Sequence, residues 1–124
     1  MDENTIAREV VDAAYTVHRE LGPGLLETVY ECVLCYELQE RGLTFTRQHA
    51  IPVKYKDLPI MDAFRTDVFV ENKVIVELKS VRRVVKAHEA QLVNYLVATQ
   101  TEVGLILNFG EHKVEVKRKL RTLN

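Results

Sequence analysis

The run Val74-Ile75-Val76-Glu77-Leu78-Lys79 constrains this chain more than any other. It reads as a buried strand, yet it carries a carboxylate and an ammonium two residues apart. Side chains alternate along a strand, so Glu77 and Lys79 share a face. Glu and Lys are seldom buried without partners, because taking a charge out of water is costly. A second strand-like run, Ala63 to Val70, lies just upstream and ends in the turn signal Glu71-Asn72-Lys73. A hairpin of the two runs sets Asp67 beside Glu77. Two carboxylates and a lysine at one sheet edge suit a divalent metal and a phosphodiester.

With 124 residues, one compact domain spanning 1–124 is expected. The formal net charge is -1, so no global basic field holds nucleic acid without regard to sequence. A few local phosphate contacts remain compatible with that balance. The acidic start Met1-Asp2-Glu3-Asn4 is followed by no apolar signal region. No run approaches the ~18 apolar residues of a membrane span. Two cysteines, Cys32 and Cys35, are read as buried, reduced thiols. The expectation is a cytoplasmic protein with no membrane contact.

Asn4 or Thr5 is expected to cap a first helix that runs to about Leu21, before Gly22-Pro23-Gly24 stops it. A second helix is expected over 25–41, with Leu26, Val29, Val33, Leu34 and Leu38 inward and Gly42 at its end. Phe45 to Tyr55 reads as a strand, with Pro52 marking an edge or a bulge. A turn over 56–59 and the two site strands follow. Ala87 to Thr99 is expected as a third helix, its apolar positions being Ala90, Leu92, Val93, Leu96 and Val97. The almost wholly apolar Val103 to Asn108 reads as a central strand, and His112 to Lys119 as the last. The order is α-α-β-β-β-α-β-β.

Asp67, then Glu77-Leu78-Lys79, then a helix bearing Gln91 and Tyr95, resembles the PD-(D/E)XK nuclease superfamily. Gln91 to Tyr95 is similar to the Q-x-x-x-Y signature of the lambda exonuclease and RecB-like branch. Gly24-Leu-Leu-Glu27-Thr-Val-Tyr30 resembles G-x-x-E-x-x-Y, for which a small bacterial family of that superfamily is named. Gly104 to Gly110 is similar to that family's late strand. E-x-K alone is weak; these elements in order, each on its proper kind of secondary structure, are specific together. One departure is that Thr66, not proline, precedes Asp67.

The resemblance implies an α/β fold with a restriction-endonuclease-like core: a mixed central sheet flanked by helices. It implies a metal-dependent nuclease, with Mg²⁺ or Mn²⁺ held by Asp67 and Glu77. Glu27 is the counterpart of the family's N-terminal acidic residue and a further metal ligand. The Leu78 carbonyl is another candidate oxygen. Lys79 would orient or deprotonate the attacking water, or stabilise charge on the phosphate. Gln91 would orient the water or Lys79, and Tyr95 would hydrogen-bond a phosphate.

Arg82, Arg83 and Lys86, beside Lys79, would guide the nucleic-acid backbone. The expected substrate is DNA in preference to RNA. Homodimerisation is expected from the small surface available to grip a duplex, and an unidentified protein partner is a further expectation. Blander readings stand beside these. Glu77 and Lys79 would pair across a solvated strand face. Glu27 would simply favour a helix N-terminus, and Tyr30 and Tyr95 would be core residues with wet hydroxyls. The rival function is a non-catalytic nucleic-acid- or protein-binding module that keeps the nuclease fold.

Overall fold

The computed structural model describes residues 1–121. Helix α1 (Glu3–Leu21) and helix α2 (Glu27–Glu40) precede strands β1 (Phe45–Tyr55), β2 (Leu58–Val70) and β3 (Val74–Lys79). Helix α3 (Lys86–Thr99), β4 (Val103–Asn108) and β5 (Glu115–Leu120) complete the order. The five strands form one mixed sheet in the order β1-β2-β3-β4-β5. β3 and β4 are parallel and joined across α3; every other neighbouring pair is antiparallel. This is the α/β architecture expected, with helices on both faces of the sheet.

Alternation along β3 separates the two cores. Val74, Val76 and Leu78 join Val68, Leu105, Leu107 and the buried stripes of α1 and α2. Ile75 joins Phe69, Ile106 and the α3 residues Leu92, Tyr95 and Leu96 on the opposite face. Gly104 lets α3 lie close, since a Cβ there would meet Leu92 Cδ1 at 2.7 Å. All six residues of β4 are buried, as its almost wholly apolar sequence predicted.

The boundaries differ from the sequence reading in instructive ways. Asp2 caps α1, its carboxylate accepting from the Thr5 amide at 2.8 Å, so the helix starts ahead of the expected Asn4 or Thr5. α2 buries Leu34 and Leu38 as expected and packs Val33 partly against the core, but Leu26 and Val29 are exposed and Tyr30, Glu31 and Cys35 take inward places instead. Apolarity alone misses this because the inward stripe contains a paired glutamate. Cys32 is exposed, not buried as expected; Cys35 is buried.

Gly42 ends α2 with φ +77°, and Leu43 N–H reaches back to Leu38 O at 3.0 Å. On α3, Ala90 and Val97 are exposed, and Tyr95 takes a buried place instead. The chain turns in two residues, Lys56 and Asp57, so β2 begins at Leu58, earlier than expected. Pro52 sits where the β1–β2 register shifts, on an edge strand, as predicted. β5 starts later than expected. The Glu111 carbonyl instead accepts from the His18 ring at 2.8 Å, which ties this segment to α1.

Candidate active site

The β2–β3 hairpin turns through Glu71 and Asn72, both with positive φ, as a primed turn requires. Its ladder holds for three pairs, ending at Val68 with Val76. Asp67 and Glu77 would form the next pair, but there the strands part. The Asp67 amide donates to Glu77 Oε2 at 2.8 Å, and the Leu78 amide donates to Asp67 Oδ2 at 2.8 Å. Each carboxylate thus replaces a ladder partner on the opposite strand. Glu77 Oε2 also accepts from the buried Thr66 hydroxyl at 2.8 Å. Thr66, in the position where the superfamily pattern has proline, supplies a donor that proline lacks.

Both carboxylates are perturbed. Burial, then the charge of Asp67, pushes Glu77 up to about 7, although the Asp67 amide, the Thr66 hydroxyl and Lys79 pull it down. Burial also raises Asp67, opposed by the Leu78 amide and the Gln48 side chain; the charges of Glu31 and Glu27 raise it further. A buried and a half-buried carboxylate that resist joint ionisation form an oxygen donor set suited to a hard divalent cation.

Lys79 is half-buried on the same face of β3 as Glu77, and its charge favours the ionised form of that carboxylate. Tyr95 is buried on α3, its ring 5.3 Å from that of Phe64. Burial raises its hydroxyl pKa, and the charges of Glu77 and Asp67 add to the effect. Gln91, one turn earlier, is exposed and its side chain favours the ionised form of Tyr95.

Glu27 stands on the exposed first turn of α2. Its charge is felt at Asp67, yet among the described residues no three His, Cys, Asp or Glu side chains gather as a metal cluster. The structure brings Asp67 and Glu77 together and leaves Glu27 outside their immediate contact. Tyr30, three residues on, has a structural task. Its hydroxyl donates to Gly22 O at 2.5 Å and accepts from the Leu25 amide at 3.1 Å, while its ring stacks on Phe109 at 4.4 Å. It fixes the loop before α2, and the Ser80 hydroxyl ties that loop to the end of β3 through Leu25 O at 2.6 Å.

The loop after β3 carries exposed Arg82 and Arg83, and exposed Lys86 opens α3. Asn108 clamps this loop: its Oδ1 accepts from the Val81 amide and its Nδ2 donates to Val81 O, both at 3.0 Å. Glu115 accepts from the Val84 amide at 3.0 Å. Gly110 is required here, because a Cβ would lie 2.0 Å from Val81 O. The basic C-terminal stretch is locally neutralised: Lys119 pairs with Glu89, Arg121 with Glu102 and Lys117 with Glu115.

Four site neighbours escaped the sequence reading: Thr66, Glu31, Arg47 and Gln48. Buried Glu31 accepts from Arg47 Nε at 2.9 Å and from Gln48 Nε2 at 2.8 Å. A glutamate at the inward spacing of α2 was a faint signal, but its partners lie on another element.

Helices on both faces of a mixed sheet, with paired acids where two strands part, make this a three-layer α/β domain. The PD-(D/E)XK nuclease superfamily model matches residues 4–119, and the chain belongs to that superfamily. The crystal structure of SSO0001 is similar in fold, with a TM-score of 0.57 and 17% identity. That match covers 79% of this chain and 52% of the other, so this chain spans about half its length. A comparison with curated proteins finds no match. No helix among the described residues is long and apolar enough to cross a membrane.

Proposed function

We propose that this protein is a metal-dependent nuclease that hydrolyses phosphodiester bonds of nucleic acid, with DNA preferred to RNA, through Asp67, Glu77 and Lys79. The observation that carries the reading is the crossed pair at the end of β2 and β3. Asp67 and Glu77 are each held by the opposite strand's amide at 2.8 Å. Mg²⁺ or Mn²⁺ would be held by Asp67 and Glu77, with Glu27 approaching from α2. When bound, the ion supplies Lewis-acid polarisation of the phosphoryl oxygen and a more acidic water.

The chain's own residues do the remainder. The Asp67 and Leu78 amides fix the carboxylates before any ligand arrives, so little reorganisation is needed at reaction. Lys79 orients the attacking water, or offsets the charge that gathers on the phosphate. Tyr95 donates to a phosphate oxygen, and Gln91 positions that hydroxyl or the water. Arg82, Arg83 and Lys86 sit on or beside a clamped loop and hold the backbone by charge. Within the superfamily, Gly24-x-x-Glu27-x-x-Tyr30 and Gln91-x-x-x-Tyr95 support placement in the G-x-x-E-x-x-Y and Q-x-x-x-Y branch. A homodimer extends the surface available to a duplex.

A second reading is a non-catalytic binding module, favoured by the position of Glu27 outside the immediate acid pair. One experiment separates them. The native chain and Lys79→Ala are incubated with single- and double-stranded DNA and RNA in Mn²⁺ or Mg²⁺. Metal-dependent cleavage that the variant loses supports the nuclease and identifies its polymer. No cleavage, with no heat of Mn²⁺ binding in calorimetry, favours the binding module.

A further inference from the structure

Gln48 interrupts β1 with φ +49°, a left-handed conformation that a residue bearing a Cβ adopts at a cost of about 1–2 kcal/mol. The kink breaks the strand's alternation. Thr46 and His49, three residues apart, approach on one face at 3.4 Å, and the His49 ring reaches Phe69 at 5.2 Å. Regular pairing skips Gln48, resuming at His49 with Thr66. The kink is held from outside: the Arg65 guanidinium donates to Gln48 O at 3.1 Å, and Asp62 fixes Arg65 at 2.9 Å.

The consequence lies at the other end of the residue. The Gln48 amide nitrogen donates to Glu31 Oε1 at 2.8 Å and to Asp67 Oδ1 at 3.3 Å. Glu31 is 6% exposed and cannot drift, because Arg47 grips its second oxygen at 2.9 Å. One amide group therefore spans two carboxylates, one anchored and one in the candidate site. Its two hydrogens match that task, and an ionised carboxylate of the same length has none to offer. Register sets Gln48 opposite Asp67, and the kink lets it also share Glu31 with its neighbour Arg47, which strict alternation would place on the other face.

We infer that Gln48, anchored by buried Glu31, is a positioning residue that orients the Asp67 carboxylate for its metal. This rests on the metal-dependent reading of the site. Asp67 Oδ2 is fixed by the Leu78 amide, and Gln48 fixes the rotation of the remaining oxygen. Outer partners of this kind hold a metal-binding carboxylate in orientation and so tune metal affinity.

Calorimetric Mn²⁺ titration of the native chain, Gln48→Gly and Gln48→Met tests it. Glycine removes the amide and relieves the left-handed strain; methionine removes the amide and keeps both length and strain. Both variants are expected to bind Mn²⁺ roughly tenfold more weakly. Both should still unfold cooperatively in metal-free buffer. Native-like affinity in either folded variant overturns the role of the amide. Loss of folding in both would make Gln48 a residue of the fold and overturn it too. A native chain that binds no Mn²⁺ overturns the metal reading itself, and this inference with it.

Discussion

Asp67 and Glu77 are each bonded to the other's strand: Glu77 Oε2 takes the Asp67 amide and Asp67 Oδ2 takes the Leu78 amide, both at 2.8 Å. The exchange sets two acids side by side at the point where β2 and β3 separate. It satisfies two amides that the ladder abandons, so the opening costs no orphaned donors there. Glu77 Oε1 takes no hydrogen bond among the described residues, which leaves it free for a cation.

Stability of the metal-free chain should fall as pH rises. Glu77 shifts from an ordinary 4.5 to about 7 in the folded state. Between those values the native chain holds more protons than the unfolded one, so unfolding becomes easier with rising pH and levels off above about 7. The loss is about 3 kcal/mol, and the raised Asp67 adds in the same direction. Urea midpoints at about pH 5 and about pH 8 measure it, and Glu77→Gln should flatten the dependence. Mn²⁺ should oppose the trend, since it binds only the ionised carboxylates.

Thr66→Val keeps the volume of a fully buried side chain and removes the hydroxyl that Glu77 Oε2 accepts from. A hydrogen bond to an ionised group is worth roughly 2 kcal/mol, and its loss leaves the carboxylate less satisfied. Urea unfolding at about pH 8, where Glu77 is ionised, should show that drop, and cleavage should fall with it. An unchanged midpoint would mean that water replaces the hydroxyl at no cost.

Gly110→Ala forces a methyl to within 2.0 Å of Val81 O. Backbone cannot yield as a flexible side-chain tip does, so the loop that carries Arg82 and Arg83 must move. The cost should be about 3 kcal/mol, read as a lowered thermal midpoint. Nucleic-acid affinity should fall at temperatures where the variant remains folded.

The double variant Arg82→Ala/Arg83→Ala tests the backbone contacts directly. Both side chains are exposed on the clamped loop. In a Lys79→Ala background, binding of labelled DNA should weaken, and its salt dependence should flatten by about one to two phosphate contacts. Folding stability should be unchanged. A native salt slope would show that the arginines face away from the substrate.

The sequence by itself determined the order of elements, the buried identity of β3 and β4, and an edge or a bulge at Pro52 of β1. These follow from local facts: apolar periodicity, turn residues, and a proline that cannot complete an interior ladder. It also determined that Asp67 and Glu77 meet, because a short hairpin brings equidistant residues opposite each other. Tertiary structure decided what a one-dimensional pattern cannot carry. The inward face of α2 includes Glu31 because, on a strand that follows, Arg47 neutralises it and Gln48 hydrogen-bonds its other oxygen. Thr66 became a donor to Glu77 only once β2 and β3 parted. Gln48 stands opposite Asp67 by register, but it came to share Glu31 with Arg47 only through a left-handed kink held by Arg65. Apolar burial repeats along a chain and is legible there; a buried charge is placed by partners distant in sequence, and only the folded chain brings them together.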